Sequence, residues 1–338
     1  MSAPVLCCPD KFRGSLTARE AAAALVAGVA RTGRDALALP LADGGEGTLE
    51  ALCPDPADRR TARVTGPLGE VVEAEWGLHD GTAFVEMARA SGLALTGEAN
   101  DPLRATTTGT GELIRAALDA GAIRVIVAVG GSATTDGGLG ALEALGFDLG
   151  GAEVLVACDV STTFVAAARI FGPQKGASGA LLDELEERLG SLAERYRALY
   201  GVDVRELRGA GAAGGLAGGL AAVSARLVPG AALVAVEAGL PSAIAEASLV
   251  LTGEGRLDAT SFAGKVVGHV LAEAQSRGIP AAVVAGDVVR AEVPDDIRAA
   301  SLVERSDSRE AAFANAEALV ADAAAELVAR LAEKQASD

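Results

Sequence analysis

Histidine, tryptophan and cysteine are scarce in this chain: two, one and four of 338 residues. Cys7, Cys8, Cys53 and Cys158 have no C-x-x-C spacing, and His79 and His269 stand far apart. Neither a zinc site nor a disulfide framework follows, and a reducing cytosol is the expected compartment. Basic residues are also short. Twenty-nine Lys and Arg against 46 Asp and Glu give a net charge of −17, which argues against a surface that neutralises nucleic-acid phosphates. Local basic pockets for small anions are still compatible with that balance. No apolar run reaches membrane-spanning length, and the opening MSAPVLCCPD has neither a basic n-region nor a long apolar stretch. A cytoplasmic protein with no membrane partner is therefore expected. The P-loop pattern G-x-x-x-x-G-K-[ST] is missing as well: the single Gly-Lys pair, Gly264-Lys265, is followed by Val266.

What the chain has in quantity is apolar residues, half of the total, and 42 glycines. Its length has a prior of two domains. Short β-branched runs end in glycine- and hydroxyl-rich loops that open helical patterns, the signature of α/β units. The apolar run 125–129 leads into GGSATTDGG (130–138), where Gly130, Gly131, Ser132, Thr134 and Asp136 precede a helix. Such a loop suits an anion held by backbone N–H groups, or it is only a tight turn that needs glycine. RATTTGTGE (104–112) repeats the pattern with Thr108, Gly109 and Thr110, and Gly121 is the expected helix stop.

The first strand, from Val5, ends at Pro9. Asp10, Lys11, Arg13 and Ser15 follow, before a T-x-x-E capping box at Thr17 and Glu20 that starts a helix at about Ala18. A second strand from Ala36 delivers Asp43, Gly44 and Gly45. Meander strands are expected at 62–64, 71–76 and 82–87, and a buried strand over 152–160 carries Asp159 at its tip. Ser178 is expected to cap the helix after FGPQKGA, which bears Lys175. Residues 202–207 read as a thin strand before a G-x-G-x-x-G at Gly209, Gly211 and Gly214. The context is poor for a dinucleotide site, since no acid follows at about twenty residues. A strand over 248–252 leads to TGEGRLDATSFAGK, read as a glycine-broken loop carrying Gly253, Glu254, Arg256, Asp258 and Lys265. The alanine-rich helix from Asp307 to about Glu333 is taken as packing scaffold.

These segments, in their order and spacing, resemble the bacterial glycerate kinase family. The matching stretches are PDKFRGSLTA (9–18), LPLADGGEGT (39–48), VTGPLG (64–69), EMARASGL (86–93), TTGTGELI (107–114), GGSATTDGG (130–138), ACDV (157–160), FGPQKGA (171–177), GAGAAGGL (209–216) and TGEGRLD (252–258). The resemblance implies transfer of the ATP γ-phosphoryl to D-glycerate with Mg²⁺, usually at the 2-hydroxyl. It also implies two α/β domains: a flavodoxin-like parallel-sheet domain from both chain ends (1–60 plus 240–338), and an inserted, restriction-endonuclease-like domain with a mixed sheet (61–239). A homodimer stays open. The chain departs from the family pattern at Arg13, where lysine is usual, at STTF (161–164) after ACDV, and at Thr260 and Ser261, where glutamine and threonine are usual.

Phosphoryl transfer needs in-line placement, neutralisation of the triphosphate and a proton acceptor. The expected assignment gives positive charge to Lys11, Arg13, Lys175, Arg256 and Lys265, the base to Asp159, and the metal to Asp43 and Asp258. Asp10, Ser15, Gly44, Gly45, Thr108, Gly109, Thr110, Gly130, Gly131, Ser132, Thr134, Asp136, Gly253 and Glu254 are expected to bind substrate or phosphate. The alternatives are a phosphotransferase for another small hydroxy acid, or a catalytically silent hydroxy-acid-binding protein, motivated by the shortened loop at Ser161.

Overall fold

The computed structural model describes residues 3–335. The described strands are β1 (Val5–Cys7), β2 (Ala36–Ala38), β3 (Arg59–Thr65), β4 (Val71–His79), β5 (Thr82–Glu86), β6 (Arg124–Ala128), β7 (Glu153–Ala157), β8 (Arg226–Val228), β9 (Leu249–Leu257), β10 (Ala281–Val288) and β11 (Ala299–Ser301). The chain divides into two compact α/β units, Met1–Asp43 with Ala231–Asp338, and Gly44–Gly230.

The unit made from both chain ends has one all-parallel sheet in the order β11-β10-β9-β1-β2. Counted by appearance within the unit this is 2-1-3-4-5, the flavodoxin-like order. Its central strands β1, β9 and β10 are largely buried on both faces, while the edge strand β2 is mostly exposed, and β10 divides its side chains accordingly. Ala282 and Val284 join the core formed with helices Ala18–Ala30 and Ala316–Gln335, while Val283 and Ala285 join Val267 and Leu271 of helix Val266–Ser276. That division is the period of two expected of a strand. The capping box forms: Glu20 N–H donates to Thr17 Oγ1 at 3.2 Å, and Thr17 N–H to Glu20 Oε2 at 2.8 Å. Helix Ala18–Ala30 then meets the C-terminal helix so closely that a Cβ at Gly28 would stand 2.1 Å from Ala321 O.

The second unit has a mixed sheet in the order β3-β4-β5-β6-β7-β8. The β3–β4 and β4–β5 pairs are antiparallel, and the pairs from β5 to β8 are parallel. Its core gathers Trp76, Val85, Leu113, Val127, Leu142, Phe164 and Tyr196.

Several local expectations change. The strand from residue 248 does not stop at Thr252 but runs to Leu257, so TGEGRL is strand, paired along β10 to Leu257–Val288. The glycines there serve close approach: a Cβ at Gly253 would lie 2.3 Å from Val284 O. Residues 202–207 form turns, not a strand. Helix Ala180–Tyr200 has Gly179 at its N-cap with no side-chain cap bond, so Ser178 does not cap it. The last helical stretch is two helices, Arg309–Ala314 capped by Ser308, and Ala316–Gln335. The unit boundaries fall at 43/44 and 230/231 where 60/61 and 239/240 were expected. Helix Thr48–Leu52 packs with β5, and Leu49 N–H donates to the buried Glu86 at 2.8 Å. No helix among the described residues is long and apolar enough to cross a membrane.

Candidate functional site

In the first unit the carboxyl ends of β1 and β9 lie side by side, which is the topological switch point where open α/β sheets bind ligands. Asp10 N–H donates to Gly253 O at 2.8 Å, tying the loop after β1 to β9. Phe12 and Leu16 close a short turn through Gly14, whose φ is +84°. The turn presents Lys11, Arg13 and Ser15 to a cavity of about 400 Å³. Asp43 arrives from the chain beyond β2. The period of two along β9 puts Glu254 and Arg256 on one face, and Asp258 and Lys265 follow. Nine of the expected site residues thus line one cavity, from three segments distant in sequence: Asp10, Lys11, Arg13, Ser15, Asp43, Glu254, Arg256, Asp258 and Lys265.

Lys11 Nζ is 3.7 Å from Asp43 Oδ1 and 3.9 Å from Asp10 Oδ1. Burial pushes Asp10 up to about 6, with the charge of Asp43 adding to the rise and Lys11 and Lys265 opposing it. Burial also pushes Glu254 up to about 7, against the Ser261 hydroxyl and Lys265. Glu254 is 9% exposed, and its Oε1 is buried with no hydrogen-bond partner. An oxygen so placed is costly unless something arrives to bond it. Asp258 is differently occupied. It caps the short turn Ala259–Phe262, accepting from Thr260 N–H at 2.9 Å and Thr260 Oγ1 at 2.6 Å, and its other oxygen is 3.4 Å from Arg256 Nε. Lys265 donates to Thr260 Oγ1 at 2.9 Å.

The remaining expected residues belong to the second unit, where most are built into the interior. Asp136 accepts from Thr107 N–H and Thr107 Oγ1, both at 2.8 Å, from Gly138 N–H at 3.1 Å and from Gly140 N–H at 3.3 Å. It is a junction between two helix starts rather than a charge offered to a ligand. Thr110 donates to Ser91 Oγ at 2.9 Å and Thr134 to Ala213 O at 3.3 Å, and both are fully buried. Lys175 is 2% exposed, and its ammonium donates to Thr134 O at 2.5 Å. Burial lowers it to about 7, with Asp136 opposing. Lys175 therefore grips the glycine loop from inside and does not present its charge at a surface.

A Cβ at Gly130 would meet Gly45 Cα at 2.6 Å, and one at Gly109 would meet Thr65 O at 2.0 Å. Gly44 would meet Ala157 Cβ at 2.9 Å. These glycines permit close backbone packing. The accessible part of GGSATTDGG is Gly130, Gly131 and Ser132, and Thr108 is half-buried. Asp159 Oδ1 accepts from Gly230 N–H at 2.6 Å. In the G-x-G-x-x-G stretch, Gly214 has φ +64° and packs on Thr134 O. This contact and the missing strand before it give the motif a packing role.

Sequence reasoning missed part of the cavity. Helix Arg309–Ala314, taken as scaffold, lends Arg309, Ala312 and Phe313, and the ends of β10 and β11 lend Asp287 and Leu302. One signal was available, since Phe313 is a lone large aromatic in an alanine-rich stretch.

The model of the glycerate kinase family matches residues 5–153 and 148–332 of this chain. A glycerate 2-kinase of Escherichia coli K12 is 43% identical over 302 residues, covering 78% of this chain and 79% of that protein. A glycerate kinase of Bacillus subtilis 168 is 40% identical, covering 85% of each. Among solved structures, a Salmonella typhimurium LT2 protein assigned as glycerate kinase 2 superposes with a TM-score of 0.84 at 35% identity, over 99% of this chain and 100% of that one.

Proposed function

The chain belongs to the glycerate kinase family and is a kinase of glycerate, and we propose that it transfers the γ-phosphoryl of ATP to the 2-hydroxyl of D-glycerate with Mg²⁺. The observation that carries the chemistry is the cavity at the switch point of the first unit, where five cationic side chains meet carboxyls of raised pKa in an otherwise acidic protein.

Lys11, Arg13, Arg256 and Lys265 supply the positive charge that phosphoryl transfer requires. Among the described residues no three Asp, Glu, Cys or His side chains group as a metal cage. Mg²⁺ needs no cage, since one or two carboxylates and the substrate phosphates suffice. Asp10 and Asp43 fit that requirement: both are hard-oxygen donors around Lys11, and their mutual repulsion is what a divalent cation relieves. When bound there, the ion would screen the phosphate charge. Asp258, expected as its second ligand, has its oxygens engaged by Thr260 and Arg256, so the role passes to Asp10.

The proton acceptor expected at Asp159 is reassigned to Glu254. Asp159 already accepts a hydrogen bond from Gly230, whereas Glu254 Oε1 lacks a partner, and a base near neutral pH is well matched to its task. Glu254 takes the proton of the glycerate hydroxyl, that oxygen bonds to the γ-phosphorus, and the bond from phosphorus to the β,γ-bridging oxygen breaks to release ADP. Lys175 and Asp136 act at one remove, by holding the glycine loop.

The test is ADP release from MgATP with D-glycerate, coupled to an enzyme that accepts only 2-phosphoglycerate. ADP release with no coupled signal would overturn the 2-hydroxyl, and activity only with another hydroxy acid would overturn the substrate. Asp159→Asn should retain turnover, and its loss in a folded protein would return the base to Asp159.

A further inference from the structure

The lining of the cavity in the first unit is of two chemically different kinds. One is the charged cluster around Lys11 and Glu254. The other is apolar, made by Phe12, Leu302, Val303, Ala312, Phe313 and Ala316. Glycerate has three carbons, each bearing oxygen, and has no use for an apolar wall. A volume of about 400 Å³ is in the range of sites that enclose a larger, mostly apolar ligand with a few polar contacts.

Phe313 is the notable residue of the wall. It is 46% exposed although it lies among alanines, and its ring stands over the turn at Gly14, where a Cβ would come within 3.3 Å of it. That aromatic is thus backed at Cε1 by the chain that carries Lys11 and Arg13. Arg309, one helical turn before Phe313, is held by an ion pair with Asp287. The wall is therefore anchored on both sides while its aromatic stays accessible.

We propose that this wall is the seat of the nucleotide base, with Phe313 as its stacking platform and the phosphates running from it toward Arg13, Lys11 and Lys265. The inference rests on the phosphoryl-transfer reading of the same cavity and assigns its donor end. A planar heteroaromatic joined to a polyanion matches a lining that is partly apolar and partly cationic. Base stacking on an aromatic side chain is lost as roughly a ten- to hundredfold fall in affinity when the ring is removed.

Titration of the full chain with MgADP, and separately with Mg-tripolyphosphate, tests this directly. Phe313→Ala should weaken ADP ten- to hundredfold and leave tripolyphosphate unchanged, and Phe313→Tyr should restore ADP. Unchanged ADP affinity in Phe313→Ala would overturn the assignment. So would equal weakening of ADP and tripolyphosphate, since that pattern belongs to a damaged phosphate end. Tight ADP binding without turnover of glycerate would sink the substrate reading and leave this one standing.

Discussion

Glu254→Gln is the sharpest perturbation the structure offers, because it removes a charge and leaves the shape. In the fold this carboxyl is raised from an ordinary 4.5 to about 7, chiefly by burial. That rise makes its ionised form costlier in the folded state by about 3 kcal/mol. The sign follows from proton counting. Below about pH 4.5 both states hold the proton and nothing is lost. Between 4.5 and about 7 the unfolded chain releases a proton that the folded chain keeps, so stability falls as pH rises. Above about 7 the loss is complete. Asp10, raised to about 6, adds a loss of the same sign over a lower window, and it is present in both proteins.

Glutamine has nothing to ionise. Glu254→Gln should therefore gain on the parent by up to about 3 kcal/mol between pH 4.5 and pH 8, while the ligand-free parent loses stability over the same range. The probe must be chosen with care. The lone tryptophan, Trp76, belongs to the core of the second unit, and its fluorescence would follow the wrong transition. Amide exchange along β9 reads the unit that holds Glu254. A constant offset between the two proteins from pH 5 to pH 8 would refute the burial argument. In the same variant turnover should fall by roughly 10²- to 10⁴-fold, the usual worth of a positioned base. The limb of the pH–rate profile near 7 should disappear with it.

Two further variants probe the second unit, and Trp76 fluorescence suits both. Asp136→Ala strands the Thr107, Gly138 and Gly140 donors, and should cost that unit about 3 kcal/mol or more in urea unfolding; a loss below about 1 kcal/mol would mean the junction is dispensable. Gly214→Ala combines φ +64° with a Cβ 2.0 Å from Thr134 O, and should cost about 2 kcal/mol or more. Wild-type stability there would remove the packing account of the G-x-G-x-x-G stretch.

Much of this protein was legible without tertiary structure because the relevant physics is local. The capping box at Thr17 and Glu20 satisfies helix N–H groups within four residues, and it forms as read. Alternating and continuous apolar runs located nearly all the strands, since burial on one or both sheet faces is written into residue spacing. The loops after β1 and β2 could be picked out because charged and glycine residues there interrupt those runs. The family motifs carried the kinase reading over almost the whole chain.

Tertiary structure decided what depends on distant partners. TGEGRL looks like a loop by composition, yet β10 pairs with it, and its glycines exist to let Val284 and the turn at Phe12 approach. Lys175 looks like one more phosphate ligand, and only the packing around it turns its ammonium onto Thr134 O. The same two carboxylate oxygens are used differently at each aspartate: Asp136 and Asp258 engage theirs with backbone and hydroxyl donors, and Asp10 and Asp43 sit around a lysine. Glu254 gives no local hint that one of its oxygens lacks a partner, because that fact belongs to the walls that enclose it. Nor does the alanine-rich end of the chain reveal that Phe313 faces a cavity opened by residues some three hundred positions earlier. Spacing along a chain records which faces are buried; which charges and rings share a cavity is decided when strands from opposite ends of the chain become neighbours.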